Sequence, residues 1–363
     1  CLHLLFVCGS ARTEIHTAPA RTRETRRRST AYCSPNMTAP ADSLWTAALG
    51  LRAAVFTLPW LAHLFAADAL LSALLPVSAV FPNLAYNLSS RIAESVWRGI
   101  QLIFTRINGA DIVVSRETDR LPRGESAIVV SNHGMKQKTV EWTDFYLIQQ
   151  VAIQCGMLGR CRYFAKQQLK WVPFLGWGLW AMGMPLVSRK WMSDRKEMDR
   201  VFYGIMKRQW PVWLVSFSEA TRYSVSKRRA AEDWCLNNNK ALGAHLLYPR
   251  TKGFIATVLK LRKTPHVKAV YDFTIAYAQD DKLFQVPPSF WQSLSRPRLN
   301  QKWRLFVHVD RHELEQLPLD DEGLAAWLEA RWVEKGERLE RLSQLLLQHQ
   351  GWNRDSGAVE DRD

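Results

Sequence analysis

The sequence predicts an α/β fold, a mixed central sheet flanked by helices, with an N-terminal apolar membrane-anchoring helical segment. Three observations predict it. Short apolar runs that read as buried strands end in polar loops: residues 127–130 run into Ser131-Asn132-His133, and residues 213–217 into Ser218-Glu219. Segments with helical spacing alternate with them, such as residues 142–151 and 194–208. Residues 44–82 are almost free of charge, interrupted only by Arg52, His63 and Asp68.

Taken in order, residues 1–36 hold an apolar run at 2–8 and then Arg21, Arg23, Arg26, Arg27 and Arg28, with no amphipathic pattern. The first methionine is Met37, and this stretch is expected to be a non-native or disordered leader. Residues 37–106 are expected to anchor the chain in a membrane. About 20 apolar residues span a bilayer as one helix, so residues 53–77 make one tilted span, or residues 44–82 a re-entrant pair turning near Ala66-Ala67-Asp68. A soluble helix this apolar would need a larger core than the chain supplies. Residues 83–106 mix Arg91, Glu94 and Arg98 with apolar positions, which suits a helix on a membrane surface or packed on the following domain.

The main domain is expected over residues 107–318. A first strand covers 109–117 and a turn 119–124, before the strand that ends at His133 and the helix through Gln154. Residues 162–165 read as a short strand leading to Lys166. Residues 171–180 are broken by Pro173, Gly176 and Gly178, and their three tryptophans fit an interfacial segment or core packing. A strand over 183–189 ends at Arg189. The helix over 194–208 puts Met198, Phe202, Ile205 and Met206 on one face and Arg195, Lys196 and Arg200 on the other. After strand 213–217 come a polar helix over 226–242, a short strand at 246–248, a helix opening at Pro249, and strands at 266–277 and 303–309. Residues 319–363 form a mostly polar helix and a polar tail.

Composition narrows the partners. The 363 residues carry a net charge of +15, and 47% are hydrophobic, with 16 tryptophans. That charge implies an anionic partner, and the long apolar segment selects a lipid surface over nucleic acid. Cysteines at 1, 8, 33, 155, 161 and 235 form neither a CxxC pair nor a metal-ligand spacing, so no disulfide and no metal site are expected. The sequence holds no G-x-S-x-G nucleophile elbow and no phosphate loop ending in GK[ST].

His133 stands at a strand end, and Asp144 lies near the start of the next helix. A carboxylate there can hold one imidazole nitrogen while the other takes a proton from a hydroxyl. Downstream, Phe217-Ser218-Glu219-Ala220-Thr221-Arg222 ends a strand and Tyr248-Pro249-Arg250-Thr251-Lys252-Gly253-Phe254 opens a helix. With Asn132-His133 and Trp142-Thr143-Asp144-Phe145-Tyr146, these ordered blocks resemble the HxxxxD-type glycerolipid acyltransferases, specifically the 1-acylglycerol-3-phosphate (lysophosphatidic acid) acyltransferases. The resemblance covers residues 98–342. The family pattern sets four residues between His and Asp, whereas ten stand in this chain, 134–143. Residues 135–140 read as an insertion in a polar loop, whose length adds little closure entropy. Should it displace Asp144, Glu141 is the nearest substitute. Ser218 and Ala220 replace the Pro and Gly of the common Pro-Glu-Gly-Thr-Arg form, and Ala220 is expected in an ordinary conformation because positive φ would strain it.

The resemblance implies an acyl-CoA-dependent enzyme that moves a fatty acyl group to the free hydroxyl of lysophosphatidic acid, giving phosphatidic acid. The alternatives are another lysophospholipid acceptor, lysophosphatidylinositol or lysocardiolipin, or a catalytically impaired membrane protein. In the implied site His133 is the base and Asp144 its orienter. Glu219 orients Arg222 or the glycerol hydroxyl, and Thr221 and Arg222 hold the acceptor with Arg189, Arg250 and Lys252. Arg250 and Lys252 flank a helix N-terminus, a natural anion site. Backbone amides near the His loop or in residues 187–189 would serve the oxyanion. The implied setting is the endoplasmic reticulum membrane with the site facing the cytosol, acyl-CoA as co-substrate, and neither metal nor other cofactor.

Overall fold

The computed structural model describes residues 40–135, 142–171, 175–188 and 191–358. The leader, Arg189, Glu141 and all of the insertion after Met135 lie outside the described residues.

Two long helices open the fold, α1 (Pro40–Val80) and α2 (Pro82–Leu102). They fold back on each other at Phe81: Trp60 Nε1 donates to the Val96 carbonyl at 3.0 Å, and His63 Nε2 lies 3.0 Å from Ser95 Oγ. The re-entrant turn expected near Ala66-Ala67-Asp68 is absent, since α1 runs through these residues without a break. Nothing at that point forces a reversal: the helix carries Pro59 and Pro76 to either side and no glycine between them. Ala53, Trp60, Ala67 and Leu71 are buried, while Leu51, Val55, Leu58, Phe65 and Leu70 are exposed. The helix is thus apolar on the face it buries and on the face it leaves bare, a pattern suited to an apolar solvent. Within α1, residues Ala47–Val80 are long and apolar enough to cross a membrane, the one such helix among the described residues.

Strands β1 (Ile112–Val114) and β2 (Ser126–Ser131) precede α3 (Thr143–Gln154). β3 (Cys161–Tyr163), β4 (Ala165–Lys166), α4 (Leu175–Ala181) and β5 (Leu186–Val187) follow. α5 (Trp191–Arg208) leads to β6 (Trp213–Phe217), and α6 (Val225–Asn237) and α7 (Thr251–Leu261) lead to the long β7 (Val267–Gln279). β8 (Leu283–Phe284), α8 (Phe290–Ser295), β9 (Trp303–Glu313) and α9 (Asp321–Leu347) complete the domain.

The main sheet has the order β1-β9-β7-β2-β6-β3, with β8 paired to the end of β7. β2 is parallel to both β6 and β7, whereas β7 and β9 are antiparallel, so the sheet is mixed as expected. Helices cover both faces. Ala127 and Val129 of β2 pack with Ile100, Tyr146 and Leu147 on one side. Ile128 and Val130 pack with Met198, Phe202, Val258 and Leu328 on the other. Burial on both faces is why this strand reads as an unbroken apolar run.

Several expected elements differ. The first strand is only Ile112–Val114, and a 3-10 turn follows at Glu117–Arg120. Residues 246–248 are not a strand: they have no sheet neighbour, and the Leu247 N–H is taken by the Glu219 carboxyl at 3.3 Å. Residues 175–181 form a helix, α4, that packs on α1. Its Gly178 approaches Asp68 so closely that a Cβ would stand 2.9 Å from Oδ1, while Trp177 and Trp180 stay exposed. α9, read as mostly polar, buries one face. Leu324, Leu328, Trp332 and Leu339 pack on the sheet, and Lys335 is fully buried with its ammonium 2.7 Å from Asp272 on β7. The cysteines at 155, 161 and 235 are free and buried.

Candidate active site

The register of three parallel strands builds the site. Ser131 at the end of β2 pairs with Phe217 at the end of β6 and with Phe273 on β7. Asn132-His133 therefore emerges beside Ser218-Glu219, at the carboxyl ends of the strands, where α/β sheets form their ligand crevices. Asn132 is fully buried and latches the loop to β7. Its Nδ2 donates to the Ile275 carbonyl and its Oδ1 accepts from the Ile275 N–H, both at 2.9 Å.

His133 and Asp144 meet although ten residues separate them in the chain. Nδ1 of His133 lies 2.7 Å from Oδ2 of Asp144, in the first turn of α3, and both residues are buried. The imidazole stacks on Phe217, with centroids 3.8 Å apart and planes 10° apart. Tyr277 of β7 donates its hydroxyl to Asp144 Oδ1 at 2.6 Å, and the Gly134 N–H reaches the same oxygen at 3.3 Å. Burial alone would raise the Asp144 carboxyl. The His133 hydrogen bond and charge, with Arg222 and Tyr277, outweigh it and hold the group below its ordinary value.

Glu219 joins two loops. Its Oε2 accepts from the His133 N–H at 3.4 Å and its Oε1 from the Leu247 N–H at 3.3 Å. Burial pushes its carboxyl up to about 8, so it holds its proton at neutral pH. The amides of His133 and Gly134 are thereby committed to carboxyl groups, which removes both from the expected oxyanion donors.

Ala220 adopts φ 55, contrary to the ordinary conformation expected of it. The Ala220 N–H bonds the Phe217 carbonyl at 2.9 Å, so Ala220 closes a tight turn and takes the left-handed region there. For a residue with a Cβ that costs about 1–2 kcal/mol, so the glycine of the common family form has a physical reason. Arg222 is buried and acts on Asp144 through its charge. Lys227 of α6 bonds the Thr221 hydroxyl and, at 3.2 Å, the Arg222 carbonyl.

The structure thus gathers His133, Asp144, Glu219 and Arg222, with Thr221 at the edge. Arg250 and Lys252 are exposed at the start of α7, and the Arg250 N–H bonds the Ser218 carbonyl at 2.7 Å. Sequence reasoning missed Tyr277, Asn132 as a latch and Lys227. Only strand register reveals the first two. Lys227 follows Arg222 by five residues and was legible as a base beside the motif.

A pocket of about 170 Å³ opens beside His133, lined also by Met135, Tyr223, His245, Phe284 and Gln285. A smaller apolar cleft of about 40 Å³ between α1, α2 and α4 is lined by Trp60, Leu64, Trp97 and Leu179, and also by Trp142, which precedes α3.

Comparison with known proteins finds matches along most of this domain. The Acyltransferase family model matches residues 112–278, and the Acyltransferase C-terminus model matches residues 299–346. The chain is similar to 1-acyl-sn-glycerol-3-phosphate acyltransferase 3 of Arabidopsis thaliana, 26% identical over 264 residues, 71% of this chain and 65% of the relative. It therefore spans just under two thirds of that relative's length. Lysocardiolipin acyltransferase 1 of Gallus gallus is 25% identical over 283 residues, 78% of this chain and 70% of the relative. The crystal structure of the 1-acyl-sn-glycerophosphate (LPA) acyltransferase PlsC from Thermotoga maritima overlays with a TM-score of 0.39 at 15% identity, over 75% of this chain and 96% of that one. With one model covering the strands that carry His133 and Glu219 and a second covering β9 and α9, the chain belongs to the glycerolipid acyltransferase family.

Proposed function

We propose that this chain transfers a fatty acyl group from acyl-CoA to the free hydroxyl of a lysophospholipid, lysophosphatidic acid, which gives phosphatidic acid, being one of the acceptors it takes. The observation that carries the reading is the His133–Asp144 contact of 2.7 Å beside an open pocket.

Asp144 holds Nδ1, so Nε2 of His133 takes the proton as the acceptor oxygen attacks the thioester carbonyl. The tetrahedral intermediate then collapses, the C–S bond breaks, and the departing thiolate recovers that proton as free CoA thiol. No covalent enzyme intermediate is needed because the thioester is already activated. Arg222 attracts the acceptor phosphate and can present two donors to it. Thr221, Arg250 and Lys252 add to the same anion-binding edge, and Arg189, expected there from the sequence, lies outside the described residues. Protonated Glu219 fixes the spacing between the His133 loop and the Leu247 loop. The acyl chain enters from the bilayer along the apolar surface beside the exposed Trp177 and Trp180. The bare apolar face of α1 seats the protein on the endoplasmic reticulum membrane with the site toward the cytosol, and neither metal nor further cofactor takes part.

A second reading takes an acceptor with a larger headgroup, lysophosphatidylinositol or lysocardiolipin. It is favoured by the pocket beside His133, whose lining extends beyond the motif residues. The test measures CoA thiol release by the full chain in microsomes, with each acceptor in turn. Release that depends on a lysophospholipid supports the reading. Release that is the same with and without any acceptor rejects it.

A further inference from the structure

The pocket beside His133 is walled by three polar side chains that the family motifs do not include: Tyr223, His245 and Gln285. Gln285 is 5% exposed, and neither its Nε2 nor its Oε1 has a hydrogen-bond partner among the described residues. A buried polar group left unpaired costs about 1–3 kcal/mol, and such a group in a native fold calls for an explanation. Because no hydrogen bond holds the amide in the wall, it can turn into the pocket without breaking one.

The backbone points the same way. Gln285 has φ 61 and His245 φ 60, both left-handed although both residues carry side chains. Strain of this kind clusters where a side chain must be aimed. Each is also braced. The Gln285 N–H bonds the Tyr277 carbonyl at 2.7 Å, which ties it to the residue that holds Asp144. His245 Nε2 lies 2.9 Å from Glu340 Oε2, and its ring meets Phe284 edge-on at 4.7 Å.

The chemistry of the wall identifies what it takes. Arg222, Lys227, Arg250 and Lys252 are not among the lining residues. An amide and a phenol each donate and accept, and the imidazole adds a further polar contact. A phosphate oxygen at neutral pH only accepts, and an acyl chain does neither. Hydroxyl groups do both. The pocket is well below the ~300–1,000 Å³ of sites that enclose a drug-sized ligand, so it suits a headgroup and not a whole lipid.

We infer that Tyr223, His245 and Gln285 form a headgroup site that selects a lysophospholipid bearing free headgroup hydroxyls over one ending in a bare phosphate. The inference rests on the acyl-transfer reading of His133. It places the phosphate toward Arg222, next in the chain to Tyr223, and the headgroup hydroxyls against Gln285.

The test uses the full chain in microsomes with oleoyl-CoA, comparing 1-oleoyl lysophosphatidylinositol with 1-oleoyl lysophosphatidate. Wild type should show the higher kcat/KM with the inositol acceptor. Gln285→Met, close in shape but without the amide, should cut that preference about tenfold, chiefly through the KM of the inositol acceptor. Gln285→Gly, which also relieves the left-handed backbone, should give the same loss without a lower Tm. A wild-type preference for lysophosphatidate overturns the inference. So does a preference kept within about twofold in both variants, the result if ordered water satisfies the amide, or an equal loss on both acceptors. Binding of glycerophosphoinositol, measured without acyl donor, separates the two levels. Binding that depends on Gln285 in an enzyme without turnover would sink the transferase reading alone. Turnover whose selectivity ignores Gln285 would sink this inference alone.

Discussion

Tyr277 holds one oxygen of Asp144 and His133 holds the other, at 2.6 Å and 2.7 Å. The carboxylate is thus fixed from the middle of the sheet as well as from the imidazole, and β7 becomes part of the reacting assembly. A hydrogen bond to a charged group contributes about 1.5–3 kcal/mol. Tyr277→Phe should lower kcat/KM about 10- to 100-fold. The Tyr277 bond favours the ionised carboxylate, so its loss lets the Asp144 carboxyl rise. The acid limb of the pH–rate profile should then move to higher pH. An unchanged profile with unchanged rate would show that β7 plays no part in orienting the dyad.

Gly134 has no room for a side chain. A Cβ there would stand 2.9 Å from Asp144 Oδ1 and 3.0 Å from the Tyr277 ring, both of which are packed in place. Gly134→Ala must therefore displace the carboxylate or the phenol. Misplacing a catalytic group by a fraction of an ångström is costly, so kcat should fall by about tenfold or more. Overpacking should also lower stability by about 1–3 kcal/mol, read as a drop in Tm. Wild-type kcat in this variant would contradict the geometry.

Glu219 should make stability depend on pH. Its folded value of about 8 lies above the ordinary 4.5, so the folded state binds its proton more tightly than the unfolded state. That contribution is fully present below about pH 4.5 and is lost as pH rises through about 8. Glu219→Gln has no proton to lose, though its one carbonyl oxygen can accept from only one of the His133 and Leu247 amides, which lowers its stability by a constant amount at every pH. Its Tm relative to wild type should rise steadily between those limits, at most about 1.4 kcal/mol of stability per pH unit. Parallel Tm curves for the two proteins would show that Glu219 is ionised throughout.

Arg222 acts in binding. Arg222→Ala should raise the KM for the phosphate-bearing acceptor about tenfold or more with a smaller effect on kcat. Arg222→Lys should recover only part of it, because an ammonium lacks the planar fork. An unchanged acceptor KM in the alanine variant would remove the phosphate-binding role.

Much of the fold was legible because burial leaves a mark on sequence. β2 and β6 read as apolar runs since both their faces are covered, and the polar blocks at their ends marked His133 and Glu219. Other features depend on tertiary context. Tyr277 lies in an apolar strand that reads the same whether its hydroxyl faces Asp144 or packs elsewhere. Lys335 and Arg338 add to the mostly polar reading of α9, yet both are buried, paired with Asp272 and Asp310. Leu246 and Leu247 looked like strand residues, but they are buried in a loop whose amide serves Glu219. The spacing of His133 and Asp144 departed from the family pattern, and chain separation alone does not fix the distance between two side chains.

The central claim is that His133 and Asp144 work as a pair in the chain with its insertion in place. The most direct measurement is acceptor-dependent CoA release by the full chain, by His133→Ala, and by a chain lacking residues 135–140, each shown to be folded by thermal melting. The full chain should turn over, and His133→Ala should lose about 100-fold or more. Turnover only in the shortened chain, or undiminished turnover in folded His133→Ala, would contradict it.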